Sequence, residues 1–331
     1  MRETAIRVAQ LFHRYGQRTA LDGLSFEIAC GEIFAFLGPN GGGKTTLFRV
    51  LSTLVPCQSG EVEVLGCDLQ KSAFAVRSRI GVVFQAPSLD KKLTVRENIR
   101  QQAALYGVRG KTLHEREEEL LEQLGLTDRV SERTETLSGG LRRRVELAKG
   151  MIHRPELLLL DEPSTGLDPG ARSDLWRYLQ RLRDDFAVTV VLTTHLLEEA
   201  ERVDRIAILD AGRLVALDSP AALKSMVGGE SITIQTPDGN RLAAEIRNRF
   251  AIDAQVVDGS VRLEQPAAGP WIARLVEAFP RELTAITWAQ PTLEDVFINQ
   301  TGHRFWRESE VESLKSSGRA AGGRKRSHGK G

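Results

Sequence analysis

A glycine-rich segment with one lysine and two threonines is the part of this chain whose residue types are best suited to bind phosphate. It reads Gly38-Pro39-Asn40-Gly41-Gly42-Gly43-Lys44-Thr45-Thr46. The apolar run 33–37 before it has the length of a strand, and residues 47–51 after it can continue as a helix. Glycines let the backbone fold tightly enough for successive N–H groups to face phosphate oxygens, and a helix N-terminus adds a positive dipole. The segment therefore predicts a phosphate-binding P-loop.

Two side chains of this loop have chemistry of their own. Lys44 is expected to reach the β- and γ-phosphates of a nucleotide, and the Thr45 hydroxyl to complete part of the shell of a Mg²⁺ ion. The alternative is a glycine-rich turn that contains a lysine by chance. The complete spacing of the motif and its flanking elements favour the phosphate site.

A pair of carboxylates follows a second apolar run, residues 157–160, at Asp161 and Glu162. Continuous apolar sequence is typical of a central parallel strand, and ligands collect at the carboxyl ends of such strands. Asp161 is expected to approach Mg²⁺ directly or through water. Glu162, one residue further on, is placed to polarise an attacking water.

Three further residues are candidates by position. Gln85 ends the strand-like run 79–85 and either coordinates Mg²⁺, positions water through its amide or is an ordinary solvated glutamine. His195 follows the β-branched run 188–194 and is expected at the same sheet end as Gln85 and Glu162, where a neutral imidazole can bond a γ-phosphate. Tyr15, in a predicted loop between two strands, either stacks on a purine base or is structural.

A second glycine segment, Leu137-Ser138-Gly139-Gly140, precedes a strongly helical stretch. Ser138 can act as an N-cap, and two glycines at a helix N-terminus make another anion-receptive site. A serine-glycine cap is more often structural. A protein with a complete P-loop does not need this site for its own nucleotide, so it is predicted to serve a nucleotide held by another subunit.

The elements around these residues predict an α/β fold. Residues 5–8 and 24–29 are predicted antiparallel strands ahead of the P-loop, and residues 61–66 are a further strand. From about 86 to 136 leucines recur at helical spacing, which predicts an inserted helical subdomain. The acidic cluster Glu115 to Glu119 is interpreted as the solvated face of one of its helices.

The last third of the chain predicts a small α+β domain. Strands at 231–235, 254–257, 261–264 and 282–288 alternate with helices at 240–250 and 271–279, a β-α-β-β-α-β order that suggests a ferredoxin-like arrangement. We therefore expect domains at 1–219 and 220–302, followed by a basic, disordered tail at 303–331. The second domain is interpreted as a packing module, with a regulatory or dimer-stabilising role as the alternative.

Composition limits the other possibilities. Lys plus Arg (45) nearly balance Asp plus Glu (44) over 331 residues, so the overall charge argues neither for nor against nucleic acid. Apolar runs fall short of the roughly 18 residues that span a bilayer, and the first residues lack a signal-peptide core. We expect a cytoplasmic protein that is at most peripheral to a membrane. The basic tail either contacts anionic lipid, binds nucleic acid or is simply solvated.

The P-loop, Gln85, LSGG, LLLLDEP, STGLD and His195 occur here in the order and spacing of the ATP-binding subunit of an ABC transporter, which this chain resembles from about Ala5 to Ser219. The LSGG signature separates that family from P-loop kinases, GTPases and helicases. The resemblance implies a P-loop NTPase domain with an antiparallel β subdomain and an inserted helical subdomain, and it implies an ATPase.

The resemblance also implies roles for individual residues. Tyr15 would stack on adenine, and Gly38, Pro39, Asn40, Gly41, Gly42, Gly43, Lys44, Thr45 and Thr46 would hold the ATP phosphates. Thr45, Gln85 and Asp161 would serve Mg²⁺, Glu162 would be the catalytic base and His195 would sense the γ-phosphate. Ser138, Gly139 and Gly140 would contact ATP bound by the opposite protomer, with Asp168 in the loop that crosses the interface. Two ATP molecules would thus lie in a head-to-tail dimer.

Two positions depart from the commonest family pattern. Gly42 replaces a frequent Ser or Ala, and Leu141 replaces the Gln that often follows LSGG. Leu141 with the basic run Arg142 to Arg144 is similar to the daunorubicin-resistance type of exporter ATPase. That branch implies a homodimer or heterodimer of ATPase subunits, on the inner face of the cell membrane, with a separate ABC-2 type permease and no specific nucleic acid.

The sequence disfavours two other functions relative to an exporter subunit. A soluble ABC-type ATPase acting on nucleic acid or ribosomes is disfavoured because the chain has one P-loop, one LSGG and no heptad run long enough for a coiled coil. An inactive structural homologue is disfavoured because Lys44, Asp161, Glu162 and His195 are all present.

Overall fold

The computed structural model describes residues 3–227 and 229–305. Internal contacts divide the chain into two units between Pro220 and Ala221. Among the described residues, no helix is both long enough and apolar enough to cross a membrane. Apart from residues 303–305, the predicted basic tail lies outside the described part of the chain.

The first unit combines two sheets with helices. Its strands are β1 (Thr4–Tyr15), β2 (Arg18–Ala29), β3 (Ile33–Leu37), β4 (Ser59–Val64), β5 (Cys67–Asp68), β6 (Ile80–Val83), β7 (Leu157–Asp161), β8 (Thr189–Thr194), β9 (Arg205–Asp210) and β10 (Arg213–Asp218). Its helices are α1 (Lys44–Leu51), α2 (Ala73–Arg79), α3 (Val95–Leu105), α4 (Gly110–Gln123), α5 (Gly139–Met151), α6 (Pro169–Phe186) and α7 (Leu197–Ala200). Helix α8 (Pro220–Met226) spans the division between the units.

A six-stranded sheet in the order β10-β9-β3-β8-β7-β6 positions the candidate residues. Strands β9, β3, β8, β7 and β6 are mutually parallel, and β10 is antiparallel to β9. Every residue of β3, β7 and β8 is buried, which explains their continuous apolar sequence. The P-loop, Glu162 and His195 directly follow the carboxyl ends of these three strands, and Asp161 is the last residue of β7, so they meet at one edge. This arrangement confirms the predicted α/β fold.

A second sheet, in the order β2-β1-β4-β5, is antiparallel, as predicted. Its first two strands are longer than predicted, and Tyr15 ends β1 instead of lying in a loop. The turn that joins β1 to β2 lies at Gly16, which has a φ of 57°. Strand β2 continues through Gly23. The Phe12 ring lies where a side chain at Gly23 would begin, since an added Cβ would be 3.2 Å from its Cζ atom. Irregular register between β1 and β2 absorbs the local distortion.

Helices α3 and α4 occupy the predicted helical subdomain, and α5 packs against both of them. A capping box at Thr94 and Glu97 begins α3. The interpretation of Glu115 to Glu119 as a solvated face is wrong for Glu117, which is fully buried. Arg96 and Arg100 of α3 lie 2.5 and 2.8 Å from the Glu117 carboxylate, so an ion-paired acid joins α3 to α4.

The second unit contains strands β11 (Glu230–Gln235), β12 (Gln255–Val257), β13 (Ser260–Gln265) and β14 (Ala285–Ala289), with helices α9 (Gly239–Phe250), α10 (Ala268–Ala278) and α11 (Leu293–Thr301). Its sheet order β12-β13-β11-β14 is antiparallel throughout, which confirms the ferredoxin-like arrangement. Phe305 is buried and its ring packs against Phe297, so packing continues three residues past the predicted limit at 302.

Candidate nucleotide-binding and catalytic site

The glycine loop between β3 and α1 adopts a conformation that requires glycine at two positions. A Cβ added at Gly38 would lie 2.3 Å from the Leu209 carbonyl oxygen, and one at Gly43, where φ is 104°, would lie 2.8 Å from the Ala20 oxygen. Lys44, which is only 4% exposed, donates from Nζ to the carbonyl oxygens of Gly38 (2.7 Å) and Pro39 (3.0 Å). The loop thus holds a desolvated ammonium group above the helix N-terminus, where an anion would be attracted.

A cleft of about 410 Å³ opens beside this lysine, within the size range of small-molecule sites. Its lining is Tyr15, Arg18, Ala20, Asn40, Gly41, Gly43, Lys44, Thr45, Thr46, Arg49 and Glu162. Tyr15 is 45% exposed and packs edge-on against His13, so one part of its ring remains accessible. Arg18 and Arg49 were not predicted as cleft residues from the sequence because neither belongs to a motif. The position of Arg18 just after the turn at Gly16, close to Tyr15, was the one available signal.

Asp161 and Glu162 occupy different environments at the end of β7. Asp161 is buried, and its Oδ1 accepts a 2.6 Å hydrogen bond from the Thr193 hydroxyl. Burial raises the pKa of Asp161, against the opposing effects of Thr193 and the Lys44 charge. The Glu162 backbone has a φ of 44° and donates to both the carbonyl and the hydroxyl oxygen of Thr193. This left-handed conformation is strained for a non-glycine residue, so neighbouring contacts must hold it.

The Glu162 carboxylate is the point where the other candidates meet. Its Oε2 accepts from Gln85 Nε2 (3.0 Å) and from Thr165 Oγ1 (3.3 Å), and its Oε1 lies 3.1 Å from His195 Nδ1. Burial works to raise the pKa of Glu162, but His195, Lys44 and Thr165 together outweigh it and lower that pKa. Glu162 is therefore ionised at neutral pH, as an acceptor for a water proton must be.

Glu199, a residue that sequence reasoning missed, connects the segments that carry Glu162 and His195. It is buried and accepts hydrogen bonds from Thr194 Oγ1 (2.6 Å) and from Ser164 Oγ. Thr194 precedes His195, and Ser164 lies two residues after Glu162. Glu199 occurs in a run with other acids, and nothing in the sequence indicates which of them is buried.

The signature segment lies at the start of α5 and not in the cleft beside Lys44. Ser138 is the N-cap, and its Oγ accepts from the Leu141 N–H at 3.3 Å. Among the described residues that line the cleft, none comes from positions 138–140. A Cβ added at Gly140 would lie 2.9 Å from Ala171, whereas one at Gly139 would meet no atom within 4 Å. Packing within the described chain therefore explains the glycine at 140 but not the one at 139.

Asp168, the last residue of the STGLD segment, caps the next helix. Its Oδ1 accepts from the Ala171 N–H at 2.9 Å, and Pro169 follows at the first helical position. The cap fixes the direction in which α6 leaves the turn that begins at Glu162. Gly140 of α5 approaches the same first turn at Ala171, so the signature and STGLD segments are neighbours within one chain.

A parallel sheet, a glycine loop with a buried lysine, and a carboxylate pair on the adjoining strand end together define a P-loop NTPase. The family profile described as ABC transporter matches residues 21–165. The chain is 38% identical over 309 residues to the daunorubicin resistance ATP-binding protein DrrA3 of Streptomyces coeruleorubidus, covering 91% of this chain and 97% of that protein. This chain therefore belongs to the family of ABC transporter ATP-binding proteins, and it binds and hydrolyses ATP.

Two further comparisons extend the similarity. The Nod factor export ATP-binding protein I of Rhizobium meliloti (strain 1021) is 38% identical over 302 residues, which cover 90% of this chain and 88% of that protein. A solved dimeric structure of a bacterial ABC transporter cassette is 26% identical with a TM-score of 0.59, over 65% of this chain and 98% of that one. The match to DrrA3 spans most of this chain and so takes in much of the second unit as well as the ATPase unit.

Proposed function

We propose that this chain is the energising subunit of an exporter, which couples ATP binding and hydrolysis to movement of a substrate through a separate membrane permease. Hydrolysis is supported by one observation above all, the convergence of Gln85 and His195 on an ionised Glu162 beside the Lys44 cleft. Export is supported by relatives of nearly the same length whose names specify drug resistance and Nod factor export.

The phosphates of ATP would occupy the cleft beside the glycine loop. Lys44 would exchange its two carbonyl acceptors for β- and γ-phosphate oxygens. The backbone N–H groups of residues 38–46 would bind the same oxygens at the N-terminus of α1. The exposed part of Tyr15, which also lines the cleft, would stack on adenine.

Thr45, Gln85 and Asp161 would hold Mg²⁺. Their hydroxyl, amide and carboxylate oxygens are the hard ligands that this ion prefers. In nucleotide sites Mg²⁺ is usually bound by one or two protein carboxylates together with phosphate oxygens of the substrate. Because the Gln85 amide nitrogen faces Glu162, the amide oxygen is its metal-binding atom. When bound, the ion neutralises charge that develops on the phosphates.

Glu162 would orient and polarise the attacking water, and His195 would connect that carboxylate to the γ-phosphate. Both are held before nucleotide arrives: Glu162 by Thr193, and the segment at His195 by Glu199 through Thr194. Preorganised groups of this kind need little rearrangement during the reaction, which is how proteins accelerate phosphoryl transfer.

We further propose that two ATPase subunits dimerise head to tail, so that Ser138, Gly139 and Gly140 of one subunit contact ATP on the other. The open surroundings of Gly139 support this, because its lack of a side chain then leaves room for a partner's nucleotide. The similar bacterial cassette was solved as a dimer. We also propose domain limits of 1–219 and 220–302, with the first limit one residue before the division at Pro220 and the second extended by Phe305, which packs on Phe297; the second domain is proposed to be a packing module.

Gly139→Val is expected to reduce ATP hydrolysis roughly ten- to hundredfold, because an added isopropyl group at a packed interface costs about 1–3 kcal/mol. The stability of the single subunit should change by no more than about 0.5 kcal/mol, since the position is open. Steady-state ATPase assays and urea unfolding measure the two effects.

Gly269→Val is the matched control for this substitution. Gly269 also lies in the first turn of a helix, α10, and an added Cβ there meets no atom within 4 Å. Its hydrolysis rate should equal that of the unsubstituted protein. Equal rates in both variants would mean that the signature segment contacts no partner nucleotide.

The partner is proposed to be an ABC-2 type permease, which would place the chain in the cytoplasm at the inner face of the membrane. Affinity isolation from membranes of the source cell, after nuclease treatment and a high-salt wash, should recover a protein with several hydrophobic spans in stoichiometric amount. Recovery of ribosomes or nucleic acid in its place would support the alternative, a soluble ABC-type ATPase. Reconstitution of the pair in vesicles should then show ATP hydrolysis that depends on the permease.

A further inference from the structure

We propose that Arg143 is a positioning residue for ATP hydrolysis. Its side chain joins α5, the helix that begins at the LSGG segment, to the backbone next to Glu162 and Gln85. Its guanidinium group donates three hydrogen bonds to three backbone carbonyl oxygens. Nε donates to Pro163 (2.8 Å), Nη1 to Phe84 (2.7 Å) and Nη2 to Asp161 (3.3 Å). Two of these carbonyls flank Glu162, and the third immediately precedes Gln85.

Arginine is suited to this place because one planar group presents several N–H donors in a fixed fork. A lysine nitrogen, which is a single point, cannot bond all three separated carbonyls at once. Burial lowers the pKa of Arg143 to about 10, against the opposing charges of Glu146 and Asp161, so the side chain stays charged at neutral pH. Each of its bonds to a carbonyl is therefore charge-assisted.

Two further side chains of α5 bind the chain just after Gln85. Glu146, one turn after Arg143, accepts from the Ser88 N–H (2.5 Å) and hydroxyl (2.6 Å), and Lys149 donates to the Ser88 carbonyl (2.8 Å). The segment that carries Gln85 is thus bound to α5 at Phe84 and again at Ser88. Arg143 alone among these three side chains also reaches the turn of Glu162.

The Arg143 hydrogen bonds restrain the backbone that positions the Glu162 carboxylate. Glu162 has a strained left-handed backbone, and the carbonyls on both sides of it are bound by Arg143. Without those bonds the turn can relax, and a displacement of about 1 Å is enough to cost roughly a hundredfold in rate. Because α5 begins at Ser138 and Gly139, Arg143 also joins the signature segment to this protomer's own catalytic carboxylate.

Arg143→Met tests the proposal, since it keeps the apolar stem and removes every donor. We expect kcat to fall at least about tenfold while KM and the ATP dissociation constant stay within about threefold, because Arg143 bonds Phe84, Asp161 and Pro163, none of which lines the cleft beside Lys44. Arg143→Lys should recover part of kcat, and it serves as the measurable variant where Arg143→Met does not fold.

Arg144→Met is the matched control. Arg144 is the next residue of α5, but its donors go to the Leu124 carbonyl and to Asp174, away from Glu162. Its kcat should stay within about threefold of the original. Unchanged kcat in Arg143→Met, or a loss of kcat matched by equal losses of ATP affinity and thermal stability, would overturn the positioning role.

Discussion

Glu162→Gln is expected to slow ATP hydrolysis by at least about 100-fold while ATP affinity is retained. The substitution keeps the size of the side chain but removes the negative charge that is proposed to accept the water proton. Because binding is preserved and turnover is not, the variant should accumulate as an ATP-bound dimer. Single-turnover hydrolysis assays measure the first effect, and size-exclusion chromatography with and without ATP measures the second.

Glu198→Gln is the control for this variant. Glu198 lies near the same sheet edge, but it is a solvent-exposed glutamate whose ion pair with Arg172 spans 3.5 Å. Exposed pairs of this kind contribute little, so its hydrolysis rate should be unchanged. If Glu162→Gln hydrolyses ATP as fast as the original protein, the catalytic base is another group.

Lys44→Ala is expected to weaken ATP binding by about 100-fold, which corresponds to roughly 2.7 kcal/mol and to the loss of charged hydrogen bonds. The ammonium group is buried beside the cleft and is the positive charge best placed for the terminal phosphates. Hydrolysis should fall in parallel because little ATP is bound at ordinary concentrations. Isothermal titration calorimetry with ATP measures the affinity directly.

The control here is Lys71→Ala, which removes an exposed lysine paired with Asp68 and should leave ATP affinity unchanged. Lys44 also donates to two loop carbonyls, so Lys44→Ala must be checked for thermal stability. A folded Lys44→Ala protein with normal ATP affinity would contradict the assignment of the P-loop. Lys44→Met, which keeps most of the side-chain volume, separates loss of charge from loss of packing.

Features that depend on neighbouring residues in the chain were predicted from sequence. The strand at residues 33–37, the glycine loop and the helix after it are all local, and so is the cap that Ser138 forms at α5. The order of elements in the second unit was predicted because each strand and helix has its own periodicity. Sheet ends were also predictable, because parallel strands that end in polar residues bring those residues to one edge.

Errors arose where a contact between distant residues outweighs the local pattern. Tyr15 was predicted to lie in a loop and a strand to begin at residue 24, but Tyr15 pairs with Arg18, so both strands continue to the turn at Gly16. Glu117 looked solvated, but Arg96 and Arg100 from another helix neutralise it in the interior. Burial of a charge depends on partners that helical spacing alone does not reveal.

By itself, the sequence determined the ligand class and the family of this protein, because a phosphate loop and a signature segment are defined by residue type and short spacing. Only the tertiary structure decided how the Glu162 carboxylate is held. Thr193, Glu199 and Arg143 come from three different elements, and their hydrogen bonds converge on one strained turn. Such convergence depends on the packing of strands and helices far apart in the chain, so no local pattern contains it.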